Sequence, residues 1–388
     1  MDSQETKTQT TAEVDRFSPE ERVARLRGVL DEVKKIASGG MAHIFQARQP
    51  SLDRFIVVKK LKEELFTNPE TQERFRREAR ALASVLHQNI AHVYDFVDSG
   101  RDSYLLMEYI DGVDLSTVIQ KVGNLPSEIS AAILLNVARG VSYIHAYHLI
   151  HRDIKPANIR LTTRGEVKLM DFGIVMDIDN TALTRPGMMV GSPSYLSPEQ
   201  VLGDVITPSA DVFLLGITFY EMLTGTRPFK EAQKETVFQR IRETKYIPAR
   251  KMNTAIPKKL DQIIERCLQK RPEDRYQDVK SLIADLEKFL GPKKTNHTSD
   301  LILSYLDREA LLSPSISYSD IQEEESFFKK IDWFIVLAMV VALGVGFTGG
   351  FFMRKEIPNA QSSYPPAKII APKANIPANS TTLHYKKN

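Results

Sequence analysis

Between about residues 33 and 290 the apolar positions recur with two different periods. The first part reads in short runs rich in β-branched and aromatic residues, at Val33–Ile36, Ile44–Ala47, Phe55–Val58 and Tyr104–Met107, and each run predicts a strand. One helix interrupts them over Glu70–Leu86, where Phe75, Ala79, Leu82 and Leu86 fall three or four apart. After Gly123 the period is helical, predicting helices over Ser130–Tyr147, Pro208–Leu223, Glu235–Glu243, Lys259–Gln269 and Asp278–Leu290. Strands followed by helices predict a two-lobed α+β unit over residues 31–290.

The flanks have other patterns. Residues 1–30 open on Thr, Gln, Ser, Glu and Lys, too polar to fold alone, with an amphipathic helix at Pro19–Leu30 and no apolar stretch of the secretory kind. Residues 291–330 turn to Lys, Ser, Asp and Glu and read as a solvated linker with one short helix at Leu301–Leu312. The segment 331–353 contains 21 consecutive uncharged residues, Trp333–Met353, between Lys329-Lys330 and Arg354-Lys355. As a helix they would cover about 30 Å, the hydrocarbon thickness of a bilayer, so a single span is expected. Ala338, Ala342, Gly346 and Gly350 line one face of it, a pattern that suits a homodimer as well as the ordinary glycine content of membrane helices. Residues 354–388 read as a Pro-containing extended tail.

Charge narrows the partners. With 52 Lys+Arg against 49 Asp+Glu the net charge is +3, too balanced for a chain that coats nucleic acid. Cys267 is the single cysteine, which excludes a disulfide framework and a thiolate metal cluster.

The chemistry concentrates in three places. Ile36-Ala37-Ser38-Gly39-Gly40-Met41-Ala42-His43-Ile44 is a small-residue turn between two strands, able to lay backbone N–H groups over phosphates and equally the composition of an ordinary hairpin. Lys59 closes the apolar run Phe55–Val58. It either snorkels to solvent or points inward, where it needs an anion such as Glu78. The third place is His151-Arg-Asp-Ile-Lys-Pro-Ala-Asn158 followed by Asp171-Phe-Gly173. There Asp153 can orient a hydroxyl and take its proton, Lys155 can offset charge on a transferred group, and Asn158 and Asp171 offer hard oxygen ligands to Mg²⁺ on phosphates.

With these motifs the segment resembles the eukaryotic-like (Hanks-type) Ser/Thr protein kinases, in particular bacterial membrane-anchored receptor-like kinases. The resemblance implies a bilobal kinase fold, ATP and Mg²⁺ as cofactors, and protein substrates with Ser/Thr acceptors. It casts Lys59 and Glu78 as the strand lysine and its helix partner, Met107 as the gatekeeper, and Glu108 and Ile110 as hinge residues whose backbone binds adenine. By the same likeness Glu199 pairs with Arg275, Asp211 braces the catalytic loop, and Lys155 places the chain in the Ser/Thr-specific subgroup. Arg152 beside Asp153 resembles kinases held active by an activation-segment phosphate, for which Thr184 and then Thr181 are the candidates.

Ala37 stands where the family has its first loop glycine, which predicts weakened nucleotide binding and leaves a non-catalytic membrane scaffold as the alternative. The need for cytosolic ATP puts the kinase domain in the cytoplasm. A positive-inside count (Arg354, Lys355, Lys368 and Lys373 after the span) would keep the tail there too. The tail is nonetheless expected outside, since basic pairs flank both ends of the span and leave the local bias weak.

Overall fold

A computed structural model describes residues 23, 30–38, 42–62, 77, 79–98, 103–172, 193–230 and 235–312. Gly39, Gly40, Met41, Glu78, Thr181, Thr184, the 331–353 segment and the tail lie outside the described residues.

The first lobe is a five-stranded antiparallel sheet of β1 (Asp31–Ser38), β2 (Ala42–Gln49), β3 (Arg54–Leu61), β4 (Val93–Asp98) and β5 (Ser103–Glu108), in the order β1-β2-β3-β5-β4. Period two is what lets this sheet bury both faces. Phe45, Ala47, Ile56, Val58, Tyr104 and Leu106 point to one side with Val23 and Leu30. Ala42, Leu61, Leu105 and Met107 point to the other, with Ala79, Leu82, Val85 and Phe172. Because Lys59 alternates with Val58, it shares the second face, the one turned toward the following lobe. Strand β4 was not among the expected strands. Its Val93 is buried, but the rest of Val-Tyr-Asp-Phe-Val-Asp is only half-covered at the sheet edge, so the apolar signal is diluted.

The second lobe opens with β6 (Gly112–Asp114) and α1 (Leu115–Val122), then α2 (Ser127–Ala146). Helix α2 is long and apolar enough to cross a membrane by composition, yet its side chains from Ile129 to Ala138 are buried in the lobe's core. Strands β7 (Ile159–Thr162) and β8 (Val167–Leu169) form a hairpin beside β6. Helices α3 (Pro198–Leu202), α4 (Pro208–Thr224), α5 (Val237–Glu243), α6 (Ala249–Met252) and α7 (Lys258–Cys267) complete the layer around Phe213, Phe219 and Phe229.

Beyond residue 290 the structure departs from the solvated linker. Helix α8 (Val279–Asn296) is broken at Gly291, where φ is +74°, and is followed by α9 (Thr298–Arg308). Ile302, Tyr305, Leu306 and Leu311 are buried in the same core as α2. The apolar positions of 291–312 are few, but Ile302, Tyr305 and Leu306 sit three and four apart and face one way.

Candidate active site

The catalytic loop precedes β7, and its backbone is held in an unusual shape. Arg152 has φ +67° and Asp171 φ +53°, left-handed values that non-glycine residues adopt at a cost. Asp211, fully buried on α4, meets that cost at the first position. Its carboxylate accepts the N–H of His151 at 2.9 Å and of Arg152 at 2.8 Å, and pairs with the His145 ring at 2.8 Å. From α3, the Gln200 amide donates to the Arg152 carbonyl at 3.1 Å. Ser197 and Gln200 also form a capping box, so one residue both starts the helix and grips the loop. The S-P-E-Q pattern carried a signal for the cap, not for the grip.

Within the loop the acceptor-side residues converge. Lys155 Nζ donates to both Asp153 oxygens, at 2.8 and 2.7 Å. The Asn158 amide nitrogen donates to the Asp153 carbonyl and to its Oδ2, each at 2.8 Å. That leaves the side-chain Oδ1 of Asn158 as its group for a cation. The Met170 N–H donates to the main-chain carbonyl of Asn158 at 2.8 Å, which ties the loop to the residue before Asp171.

Across the cleft, Lys59 Nζ lies 2.9 Å from Asp171 Oδ1. This decides the orientation left open by the sequence: Lys59 turns inward. The partner among the described residues is Asp171, and the expected partner Glu78 lies outside them. The Lys59 ammonium holds the Asp171 carboxyl below its usual range, overcoming the opposing effect of burial, with Lys155 adding to the same end. An ionised carboxylate, an amide oxygen and two ammonium groups therefore border one cleft.

This donor set fits a magnesium–nucleotide. Among the described residues no group of three or more His, Cys, Asp or Glu side chains stands ready to hold a metal alone. Mg²⁺ in phosphoryl-transfer sites takes only one or two protein oxygens and fills its shell with phosphates and water, which matches Asn158 and Asp171.

The positions expected to face a nucleotide follow the strand alternation. Ala42 is buried and Ile44 half-buried on the cleft face of β2, Met107 is buried on β5 in register with Val57, and Ile110 is buried after β5. Ile36, Ala37 and Ser38 are exposed at the end of edge strand β1. Glu108 has a second task that its motif did not signal. Its side chain binds Lys168 of β8 at 3.0 Å and accepts the His92 N–H at 3.0 Å, bridging the two sheets beside the hinge.

Residues 30–285 match the protein kinase domain family. The chain belongs to that family. Similar proteins include a probable serine/threonine-protein kinase of Clostridium perfringens, 38% identical over 254 residues, 66% of this chain and 37% of that protein. Serine/threonine-protein kinase PknB of Mycobacterium leprae is 36% identical over 281 residues, 71% of this chain and 45% of its own length. The match thus spans under half of either relative. Among solved structures the fold is similar to Rad53 1–466 in complex with AMP-PNP, with a TM-score of 0.57 at 20% identity over 67% of this chain and 65% of that one. The expected bilobal kinase architecture and the likeness to Hanks-type Ser/Thr kinases are both upheld.

Proposed function

We propose that the chain is an ATP-dependent kinase that phosphorylates Ser and Thr hydroxyls of proteins, itself included. The observation that carries this is the convergence of Asp153, Lys155 and Asn158 on one loop, facing the Lys59–Asp171 pair.

In the reaction the acceptor hydroxyl oxygen forms a bond to the γ-phosphorus, the bond from that phosphorus to the β-bridging oxygen breaks, and ADP leaves. Asp153 orients the hydroxyl and takes its proton. Lys155, already on Asp153, supplies positive charge next to the transferred group. Lys59 is placed to hold the α- and β-phosphates, and Asn158 and Asp171 would hold magnesium. When bound, magnesium neutralises charge on the phosphate oxygens. Phosphate on Thr184 or Thr181 would dock against Arg152, whose backbone Asp211 and Gln200 already fix.

The setting belongs to the same proposal. The apolar 333–353 stretch supports a single membrane span with lipid contact, and its small-residue stripe supports a homodimer that raises the local concentration for phosphorylation in trans. The kinase domain would lie in the cytoplasm and the tail outside.

The test is labelled-phosphate transfer from ATP by the full chain, alongside Asp153→Asn, with phosphoamino-acid analysis of the product. Transfer to Ser or Thr that Asp153→Asn abolishes supports the proposal. Equal signal from both chains refutes catalysis at this site, and label on tyrosine alone refutes the acceptor class.

A further inference from the structure

The two metal-facing groups sit at the open end of one hairpin. Asn158 immediately precedes β7, and Asp171 follows the end of β8 by two residues. At the other end the turn is tightly built. The Gly165 N–H donates to the Thr162 carbonyl at 2.9 Å, and Thr162 Oγ1 accepts the N–H groups of Arg164 and Glu166 at 3.2 and 3.1 Å.

Helix α9 lies directly on this turn. A Cβ at Gly165 would stand 2.1 Å from the Ser299 carbonyl oxygen and 2.9 Å from Leu303 Cβ, distances no side chain tolerates. The φ of +74° at Gly165 is also one that side chains resist. Glycine here serves an approach, not only a turn. The helix is anchored from behind by Ile302, Tyr305 and Leu306 in the core, and the break before it is flanked by the Lys294–Glu128 ion pair. Residues 298–308 lie past the end of the family match at 285, so the match itself does not extend to this support.

We infer that α9 is a positioning element for Asn158 and Asp171. Strands β7 and β8 are four and three residues long, and at about 3.3 Å per residue the turn is only some 13 Å from the metal-facing end. A ribbon that short, hydrogen-bonded throughout and paired with β6, passes a tilt at its turn on to its ends. By seating on Gly165, α9 fixes that tilt. Gly165 and Leu303 are positioning residues and touch no substrate. The inference rests on the reading of Asn158 and Asp171 as the metal-holding pair.

The experiment uses the full chain with Gly165→Ala, Leu303→Ala and, as control, Gly123→Ala. Gly123 also has a positive φ, +77°, with open space where its Cβ would go. Two quantities are read: amide exchange over residues 155–171 without nucleotide, and AMP-PNP affinity with and without Mg²⁺. Gly165→Ala is expected to speed that exchange about tenfold and to cut the magnesium-dependent gain in affinity by about tenfold. Leu303→Ala should move both the same way by less, and decides the matter if Gly165→Ala does not fold. Gly123→Ala should move neither. Faster exchange confined to residues 297–312, with the magnesium gain as in the native chain, overturns the inference. A native chain that gains nothing from magnesium overturns the kinase reading of the site instead, while the exchange measurement still reports on the bracing.

Discussion

Arg275 donates to both carboxylate oxygens of Glu199, at 2.8 and 3.0 Å, with both side chains buried. The same guanidinium also donates to the carbonyls of Gln269, Ser209 and Lys270, and it lies 4.8 Å over the Phe213 ring. Every N–H of the cation therefore has an acceptor. The pair fastens the segment carrying Gln200, and through Gln200 the catalytic loop, to the helical lobe.

Removing one partner of a buried ion pair strands the other in low dielectric, at a cost of about 3–5 kcal/mol. Arg275→Ala should therefore lower the melting temperature of the kinase domain by roughly 10 °C, as followed by calorimetry. A shift within a degree or two would mean that solvent reaches Glu199 in the native state. That outcome is incompatible with the buried geometry.

Lys59 and Asp171 make a different kind of pair, since both side chains keep some exposure, at 18% and 33%. Such a partly screened pair adds less to stability than the enclosed Glu199–Arg275 pair. Lys59→Met should lower the melting temperature by only a few degrees, less than Arg275→Ala, and reduce phosphoryl transfer by about 10²–10³-fold, the loss typical of one preorganised electrostatic group. In the same variant the Asp171 carboxyl should rise back toward its ordinary range, because the ammonium that depressed it has gone. Single-turnover transfer and a melting curve on the same sample separate the two effects. A large fall in melting temperature would recast Lys59 as a structural residue.

What could be read from the residues alone divides along a physical line. Asp153, Asn158 and Asp171 are recognisable because their chemistry is packed into two short motifs, and local spacing is enough. The strands that alternate cleanly were legible for the same reason. Glu108 with Lys168 is different: 60 residues separate them, each has other plausible surroundings, and only the hinge geometry joins them. Helix α9 shows the limit most plainly. A short helix over 301–312 was legible from its spacing, but its seat on Gly165 was not, because a glycine in a turn reads the same with or without a neighbour.

His151 offers a test by pH. Its ring is fully buried against Phe172, with centroids 4.7 Å apart; Nδ1 accepts the Asp153 N–H at 3.3 Å, so Nε2 carries the proton given to the Met170 carbonyl at 3.1 Å. Burial holds the imidazole neutral and its pKa below 6.5, against the opposite pull of Asp211, Asp153 and Asp171. Below about pH 6.5 the unfolded chain binds a proton here that the folded chain refuses, so stability must fall as pH falls. The slope from this one group is at most about 1.4 kcal/mol per pH unit, and it flattens once the folded pKa is passed. Comparing denaturant unfolding of the native chain with His151→Asn between about pH 7 and 5 isolates that proton, a window set by the ordinary histidine pKa. Parallel curves would show that the folded ring takes up its proton over the same pH range as the unfolded one, contrary to its burial.

Cys267 closes helix α7 against α4, where a Cβ on Gly216 would come within 2.6 Å of its own Cβ. No space is left for a reagent, and burial pushes the thiol up to about 12, with Arg266 and Arg275 only partly opposing the shift. Since the thiolate is the reacting form, the native chain at neutral pH offers almost none of it, and that little is enclosed. Disulfide-exchange reagents should therefore leave the folded protein unlabelled and modify one thiol per chain in denaturant. Labelling should follow the rate of unfolding, because only opening of the α4–α7 contact exposes the sulfur. The Gly216→Ala variant, which forces those helices apart, should label faster at equal denaturant. Rapid labelling of the native chain, or no acceleration in Gly216→Ala, would contradict the packing seen between these two helices.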